Sequence, residues 1–419
     1  MEFRQQTLDN GLEVVAECNP QAYSTAIAFF VKTGARDETP EIAGVSHFLE
    51  HMVFKGTATR TAEDVNRTLD EIGSHSNAFT SEEQTVFFAT VLPEYQDAAV
   101  ELLGDIMRPA LREHDFDTEK QVILEEIAKY DDQPPFGANE KCMAAHFPQH
   151  PLGQSVLGTC DSVTALSADQ MRSYFEERYS PQNMALVAAG NVNFDRLVEQ
   201  ASQSCGQWKP FPTQRATPRA QAHSGLEIVQ NNAAHQEYVV QIANGPAAED
   251  SNRYAGRLLA TILGDDSGSR LFWELVDTGL AEYASVAAYE FQGTGIFMTF
   301  LCCAPGDTSR NLERVREIES ELESGGVRLE ELQQAQNKIS AHLILQSERS
   351  TNRMFSVGNH WIQRHEYRTV RDIINAYQEV NCDQLAKLIQ QYPLSASTTI
   401  VVGPHAELAP SRLAIAKNN

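Results

Sequence analysis

Runs of hydrophobic residues separated by short polar breaks predict a chain of alternating strands and helices. The break Asp9-Asn10-Gly11 predicts a hairpin turn, because Asn-Gly supplies the positive φ that a tight turn requires. The Ala-Ile-Ala-Phe-Phe-Val core of residues 24–31 predicts a buried strand. Similar runs predict further strands over 75–80, 84–91 and 183–190, and helical periodicity predicts helices over about 45–55, 61–72, 93–107, 115–130 and 195–204.

The helix predicted over residues 115–130 has a clear buried stripe. At about 100° per residue, four apolar side chains fall on one line: Phe116, Ile123, Ile127 and Tyr130. Glu119 and Glu126 flank this stripe on the same edge, whereas Glu125 points to the opposite side. The pattern therefore selects Glu126 over Glu125 as a carboxylate able to turn inward, although a solvated helix edge is the alternative for Glu119 and Glu126.

The second half of the chain repeats the first in outline. A strand over 237–242, a helix over 252–263, a strand over 296–301 and a helix over 329–339 follow in the same order. A proline-containing stretch with basic residues separates the halves. We therefore predict an α+β fold of two duplicated domains, each a mainly antiparallel sheet with helices packed on one face: residues 1–207, a linker at 208–225, and residues 226–419.

Composition and charge exclude several classes of protein. The chain is 42% hydrophobic and carries a net charge of -24, so nucleic acid and anionic membranes would be repelled. The charge suits cationic peptides, although an acidic surface that serves solubility alone is equally compatible. Seven scattered cysteines without a Cys-x-x-Cys pair indicate reduced thiols. No apolar run approaches a membrane span and no signal-peptide core follows Met1, which favours a cytoplasmic protein unless a leader has been removed.

Candidate chemistry is concentrated in the segment His47-Phe48-Leu49-Glu50-His51. Two histidines four residues apart project from one face of a helix and can bind one zinc ion, and Glu50 on that side can take a proton from water. A hydrogen-bonded core cluster is the alternative. Because a zinc site of this kind needs a third ligand, we expect Glu126 to supply it and Glu119 to support the ligands from behind. The second half lacks the motif.

The motif order and its surroundings resemble the pitrilysin, insulysin and mitochondrial processing peptidase family of zinc endopeptidases, in a short two-domain form. The likeness is densest in His47-Phe48-Leu49-Glu50-His51-Met52-Val53-Phe54-Lys55-Gly56-Thr57, in Ser76-Asn77-Ala78-Phe79-Thr80-Ser81 and in residues 119–126. In that family a glutamate ligand lies about seventy-five residues beyond the second histidine, and a further glutamate lies seven residues before it. The resemblance implies Zn²⁺ as cofactor, with Glu126 and Glu119 in these two places.

The resemblance also implies how substrate binds. In relatives, the segment equivalent to Asn77, Ala78 and Phe79 is an edge strand to which an extended peptide adds, with Asn77 and Phe79 beside the metal. Larger relatives contact substrate with an arginine and a tyrosine seven residues apart. Here Tyr283 is in the tyrosine's place, but Val276 is in the arginine's place.

The function implied by the resemblance is zinc-dependent cleavage of short or unfolded peptides. Glu50 is expected to act as general base toward a zinc-activated water. Two domains enclose half of the family's chamber, so a homodimer is expected. Two alternatives stay open at this stage: a non-catalytic structural or partner subunit of the same fold, and the active subunit of a heterodimer.

Overall fold

The computed structural model describes residues 1–221 and 223–408. This part of the chain contains eleven strands: Glu2–Thr7 (β1), Glu13–Cys18 (β2), Thr25–Val31 (β3), His75–Thr80 (β4), Thr85–Val91 (β5), Met184–Gly190 (β6), Gly225–Gln230 (β7), Glu237–Gly245 (β8), Tyr283–Phe291 (β9), Thr294–Cys303 (β10) and Ser397–Gly403 (β11).

The same residues form fourteen α-helices, besides short 3-10 turns and a π-helical turn over Phe272–Val276. They are Val45–Val53 (α1), Ala62–Glu71 (α2), Gln96–Ile106 (α3), Glu113–Asp132 (α4), Ala138–His146 (α5), Cys160–Ala165 (α6), Ala168–Arg178 (α7), Phe194–Cys205 (α8), Arg253–Gly264 (α9), Thr308–Gly325 (α10), Leu329–Ser347 (α11), Ser350–Arg364 (α12), Val370–Gln378 (α13) and Cys382–Gln391 (α14). No helix in the described ranges is long and apolar enough to cross a bilayer.

The strands form two sheets of related topology. The first has the order β1-β2-β6-β3-β5-β4, and the second has the order β7-β11-β8-β10-β9. Each contains one parallel pair, β2 with β6 and β7 with β11, and its other pairs are antiparallel. Omitting β1, the five strands of one sheet match the five of the other in order and direction. The predicted α+β fold with two duplicated, mainly antiparallel sheets is confirmed.

Helices cover both faces of the first sheet at its central strand β3, whereas one covered face was predicted. Alternate residues of a strand point to opposite faces, and every residue of β3 is buried. Ile27 and Phe29 pack in the larger core with α1 and α3, whereas Ala28 and Phe30 pack on the second face against α12. The residues that α12 contributes are Met354, Val357, Trp361 and Ile362. Sequence patterns predicted helices on one face only. They missed the second layer because the residues of β3 do not indicate which later segment covers the other face.

The second sheet is covered in the same way. Val239 and Val401 pack with the helices on one face, whereas Val240 and Ile400 pack on the other face against α5. The residues that α5 brings include Ala138, Cys142 and Met143.

Residue contacts divide the chain into two compact units that exchange segments. The first unit contains residues 1–129, 154–216 and 344–370, and the second contains the described residues within 130–153, 217–343 and 371–419. The contacts therefore depart from the predicted continuous domains 1–207 and 226–419 joined at 208–225. The reason is that α5 and α12 each cover the sheet of the opposite half of the sequence.

The long helix α4 agrees with its predicted stripe except at its last turn. Phe116, Ile123 and Ile127 are buried, whereas Tyr130 is 53% exposed, contrary to the expectation from its helical phase. The helix starts at Glu113, earlier than predicted, and ends at Asp132. Beyond Ile127, α4 contributes no residue to the core that its stripe packs against, so Tyr130 in the last turn stays exposed.

Candidate metal centre

Helix α1 presents its two histidines together while its apolar face fills the core. The helix begins after Gly44, whose φ of 91° favours glycine. Phe48, Leu49 and Met52 are buried in the core of the first unit. His47 and His51 project from the same side, with ring centroids 4.8 Å apart. The spacing of four residues therefore places two imidazoles side by side.

Glu126 of α4 completes a group of three metal-ligating side chains. Its Oε2 atom lies 3.8 Å from His47 Nε2 and 3.7 Å from His51 Nε2. The ligand atoms of the three residues all lie within 4.8 Å of one another, and no other such group occurs among the described residues. Histidine nitrogens and carboxylate oxygens are zinc ligands, and three protein ligands with one open position are typical of a catalytic zinc site. The donor set fits zinc.

The neighbouring residue Glu125 lies at the surface, on the exposed side of α4. Glu126 is half-buried, with 31% of its side chain exposed, and His51 has 24% exposed. The metal-ligating group is thus open to solvent on one side. A catalytic metal site needs such an opening, because substrate must reach the ion.

His47 is the most deeply buried of the three residues. Burial lowers the pKa of His47 to about 4, and the neighbouring His51 adds to the shift. Within the described chain, its Nδ1 atom is buried without a hydrogen-bond partner. The ring is therefore neutral near pH 7, which is the state that binds a metal.

On the side of the His51 ring away from Glu126, the Nδ1 atom contacts Glu119, which in turn contacts Lys55. His51 Nδ1 lies 2.9 Å from Glu119 Oε1, and Lys55 Nζ lies 2.5 Å from Glu119 Oε2. Burial alone would lower the pKa of His51, but the hydrogen bond to Glu119 and the surrounding carboxylates outweigh it and raise the pKa. Burial likewise opposes ionisation of Glu119, but His51 and Lys55 outweigh it and lower the pKa of that carboxyl. Glu119 is thus held ionised, where it fixes the orientation of the His51 ring.

Glu50 lies on the same side of α1, next to the histidines. Its Oε2 atom accepts a hydrogen bond of 2.7 Å from Thr80 Oγ1 of β4. Burial raises the pKa of Glu50 above its ordinary value, and the Thr80 bond opposes that shift. A carboxylate whose pKa moves toward neutrality is a better proton acceptor near pH 7.

Comparisons with known proteins decide the family. A sequence profile described as insulinase (peptidase family M16) matches residues 13–160, and one described as peptidase M16 inactive domain matches residues 165–339. An uncharacterized zinc protease of Mycobacterium leprae is 31% identical over 96% of this chain and 91% of its own length. The chain belongs to peptidase family M16. Another relative, the uncharacterized zinc protease YmxG of Bacillus subtilis, is 29% identical over 93% of this chain and 95% of its own length.

Solved structures share the fold of this M16 chain. A protease from Helicobacter pylori has a TM-score of 0.90 at 23% identity, covering 96% of this chain and 99% of its own. A chain of Complex III2 from Candida albicans has a TM-score of 0.83 at 16% identity, and 97% of each chain is covered.

Alternate side chains of the edge strand β4 lie on opposite faces of the first sheet. Ala78 of β4 belongs to the core below α1, and Thr80, on the same face, contacts Glu50. Phe79 points to the other face, where its ring centroid lies 5.8 Å from that of Phe355 on α12. By strand alternation Asn77 shares the face of Phe79, so the expectation that the side chains of Asn77 and Phe79 lie beside the metal residues is corrected. Asn77 is exposed, and its Oδ1 accepts a hydrogen bond from the backbone amide of Ala78.

Tyr283 and Val276 lie in the second unit of the M16 chain. Tyr283 is the first residue of β9 and is 43% exposed, with its ring centroid 5.7 Å from that of Phe300. Val276 ends the π-helical turn that starts at Phe272. Substrate contact by Tyr283 stays a prediction, as do the substrate contacts expected of Asn77, Ala78 and Phe79.

Sequence reasoning missed two side chains that contact the predicted site residues. Lys55 follows His51 by four residues, so the helix predicted over about 45–55 would have placed it on the side of His51, although α1 ends at Val53. Thr80 follows Ala78 by two residues, so strand alternation could have placed it on the face of α1. Both signals were present in the sequence of this M16 chain.

Changing Glu119 to Gln should weaken zinc binding by about 10- to 100-fold, the usual effect of removing a partner behind a metal-bound histidine. The amide keeps its size but loses the charge that holds His51 in place. Competition with a chromophoric chelator would measure the dissociation constant, with Glu113→Gln on the exposed start of α4 as the control. Unchanged affinity in Glu119→Gln would remove Glu119 from the metal centre.

Proposed function

We propose that this chain is a zinc endopeptidase that cleaves short or unfolded peptides. The observation that carries the proposal is the gathering of His47, His51 and Glu126 within 4.8 Å. Glu50, a residue able to move a proton, stands next to them on α1. The names of the relatives as zinc proteases support the same conclusion.

The residues divide the chemical work among them. His47, His51 and Glu126 would hold the ion, which when bound supplies a Lewis acid that acidifies water and polarises a carbonyl. Glu50 would take the proton of the attacking water on its carboxylate and deliver it to the nitrogen of the leaving amine. Glu119 and Lys55 would keep His51 oriented throughout. Cleavage thus needs one base that also returns its proton as an acid.

The edge of the first sheet supports a peptide as substrate. Among the described residues, β4 pairs only with β5, so no other strand covers its outer edge. An extended peptide could pair with this edge and come to lie close to Glu50, which Thr80 of the same strand contacts. A segment within a folded protein already has its backbone groups paired. Unfolded peptides are therefore the proposed substrate class.

Removing the metal tests the catalytic proposal against a structural role. Chelator-treated protein should lose cleavage of an unstructured fluorogenic peptide, and about one equivalent of zinc should restore it, because the described residues hold one metal-ligating group. A non-catalytic subunit would show no zinc-dependent cleavage at any stage. Size exclusion with light scattering on the same sample measures its molar mass. Twice the mass of one chain would support the homodimer expected from the family resemblance, and cleavage by that sample would show that no different partner chain is needed.

Substrate charge and substrate folding should both affect the rate. The net charge of -24 should speed capture of a basic peptide several-fold over an acidic one at about 10 mM salt, where charges act over roughly 30 Å. At about 0.5 M salt the two rates should converge. Steady-state rates for two peptides of equal length measure this effect, with a folded protein bearing the same cleavable sequence as control. Equal rates at low salt would refute the charge preference, and efficient cleavage of the folded control would refute the proposed substrate class.

A further inference from the structure

The carboxylate of Glu50 is held by one residue of the edge strand. The Thr80 hydroxyl donates a hydrogen bond to Glu50 Oε2 at 2.7 Å. A hydrogen bond to a charged acceptor is shorter and stronger than one between neutral groups. Thr80 therefore restricts where the carboxylate can point.

The environment of Thr80 commits its single hydroxyl proton to Glu50. The nearest competing acceptor is Thr85 Oγ1, at 3.4 Å, on the neighbouring strand. Thr85 in turn donates its own proton to the carbonyl oxygen of Thr33 at 3.0 Å. Because the carboxylate oxygen is charged and, at 2.7 Å, lies closer than Thr85 Oγ1, the Thr80 proton points at Glu50.

The turn that follows Thr80 is fixed by a segment preceding α1, residues 34–38, which we call the brace. The backbone amide of Ala35 donates to the Ser81 carbonyl at 3.2 Å, and that of Arg36 donates to the Glu82 carbonyl at 2.8 Å. At Gly34, an added Cβ would lie 2.2 Å from the Ser81 carbonyl oxygen, so only glycine permits this approach. Hydrogen bonds from the brace thus fix the position of the turn at the end of β4.

The other end of the brace is hydrogen-bonded to the start of α1. Glu38 is buried, and its two carboxylate oxygens accept hydrogen bonds from the backbone amides of Gly44 and Ser46 at 2.6 and 2.7 Å. These amides have no partner within the helix, and Gly44 has no side chain to cap them. One five-residue segment therefore sets both the end of β4 and the start of the helix that carries Glu50.

We infer that Thr80 is a positioning residue for the proton transfer, aiming the carboxylate of Glu50, and that the brace presets the distance between them. The inference rests on the proposed function, because it assigns Thr80 a part in that reaction. A role confined to strand stability would instead affect folding without a selective effect on turnover.

Kinetics of two Thr80 variants separate positioning from structure. Thr80→Val keeps the shape and strand preference but removes the hydroxyl, so kcat should fall about 10- to 100-fold, as expected for loss of a hydrogen bond to a charged group, with KM within about twofold. Zinc content should stay unchanged. Thr80→Ser, which restores the hydroxyl, should return kcat to within about threefold of the original protein. Thr90→Val in β5, whose hydroxyl pairs with Thr351 at 2.9 Å, is the matched control.

A second readout needs neither metal nor turnover. In metal-free protein, Thr80→Val should lower the urea midpoint of unfolding, and should lower it much less when Glu50 is already alanine, because the hydrogen bond is then absent. Equal shifts in the two backgrounds would overturn the contact, and an unchanged kcat in Thr80→Val would overturn the positioning role. If the original protein cleaves no peptide better than Glu50→Gln does, the proposed function fails. If Glu50→Gln loses cleavage but Thr80→Val keeps its kcat, the proposed function stands and only the Thr80 inference is refuted.

Discussion

Replacement of Glu50 by glutamine should abolish peptide cleavage and leave zinc bound. The amide has nearly the same shape and can still accept the Thr80 hydrogen bond, but it cannot take a proton near neutral pH. Loss of a general base typically lowers the rate by about 10² to 10⁴-fold. Turnover of an unstructured basic peptide by zinc-loaded protein measures the effect, with metal content determined on the same sample.

The control for this variant is the same substitution at a glutamate that lies away from the metal-ligating residues. Glu63 is exposed at the start of α2, and Glu63→Gln should cleave at the original rate. Retention of more than about a hundredth of the original rate in Glu50→Gln would assign the proton transfer to another group. Loss of zinc from that variant would make Glu50 a ligand.

Changing Glu126 to Gln should remove most of the zinc, whereas changing Glu125 to Gln should not. Glu126 Oε2 lies within 3.8 Å of both histidines, while its neighbour lies on the exposed side of the helix. An amide oxygen is a neutral and weaker ligand, so two histidines alone would have to retain the ion. Zinc per chain after gel filtration, measured by atomic emission, should fall from about one to well below one half.

The pair of variants is its own control, because the two residues differ by one position on the same helix. Any general effect of removing a negative charge from α4 would appear equally in both. If Glu125→Gln loses zinc and Glu126→Gln retains it, then Glu125 is the metal ligand and the assignment of Glu126 is wrong.

Local sequence patterns predicted the elements that carry the site. The Asn10-Gly11 turn, the buried strand β3 and the helix of His47 and His51 all follow from spacing and turn chemistry over a few residues. Helical phase also separated Glu126 from Glu125, because an angle of 100° between neighbours is a large difference. It failed at Tyr130, where the helix continues after the core that the stripe packs against has ended.

Features that depend on distant partners could not be predicted in this way. The two-sided burial of β3 is visible in its sequence as an unbroken apolar run, but the identity of its second cover, α12, lies more than three hundred residues away. Glu38 is another example. Nothing in its immediate neighbours indicates that both of its oxygens bind the start of the next helix.

The exchange of α5 and α12 bears on how such a chain could have arisen. Each helix follows its half's long helix, α4 or α11, and each covers the sheet of the other half. An ancestor with a single copy would therefore have left one apolar sheet face bare unless a second molecule supplied the helix. Such an ancestor would have been a domain-swapped pair, and gene fusion would have made the exchange permanent within one polypeptide.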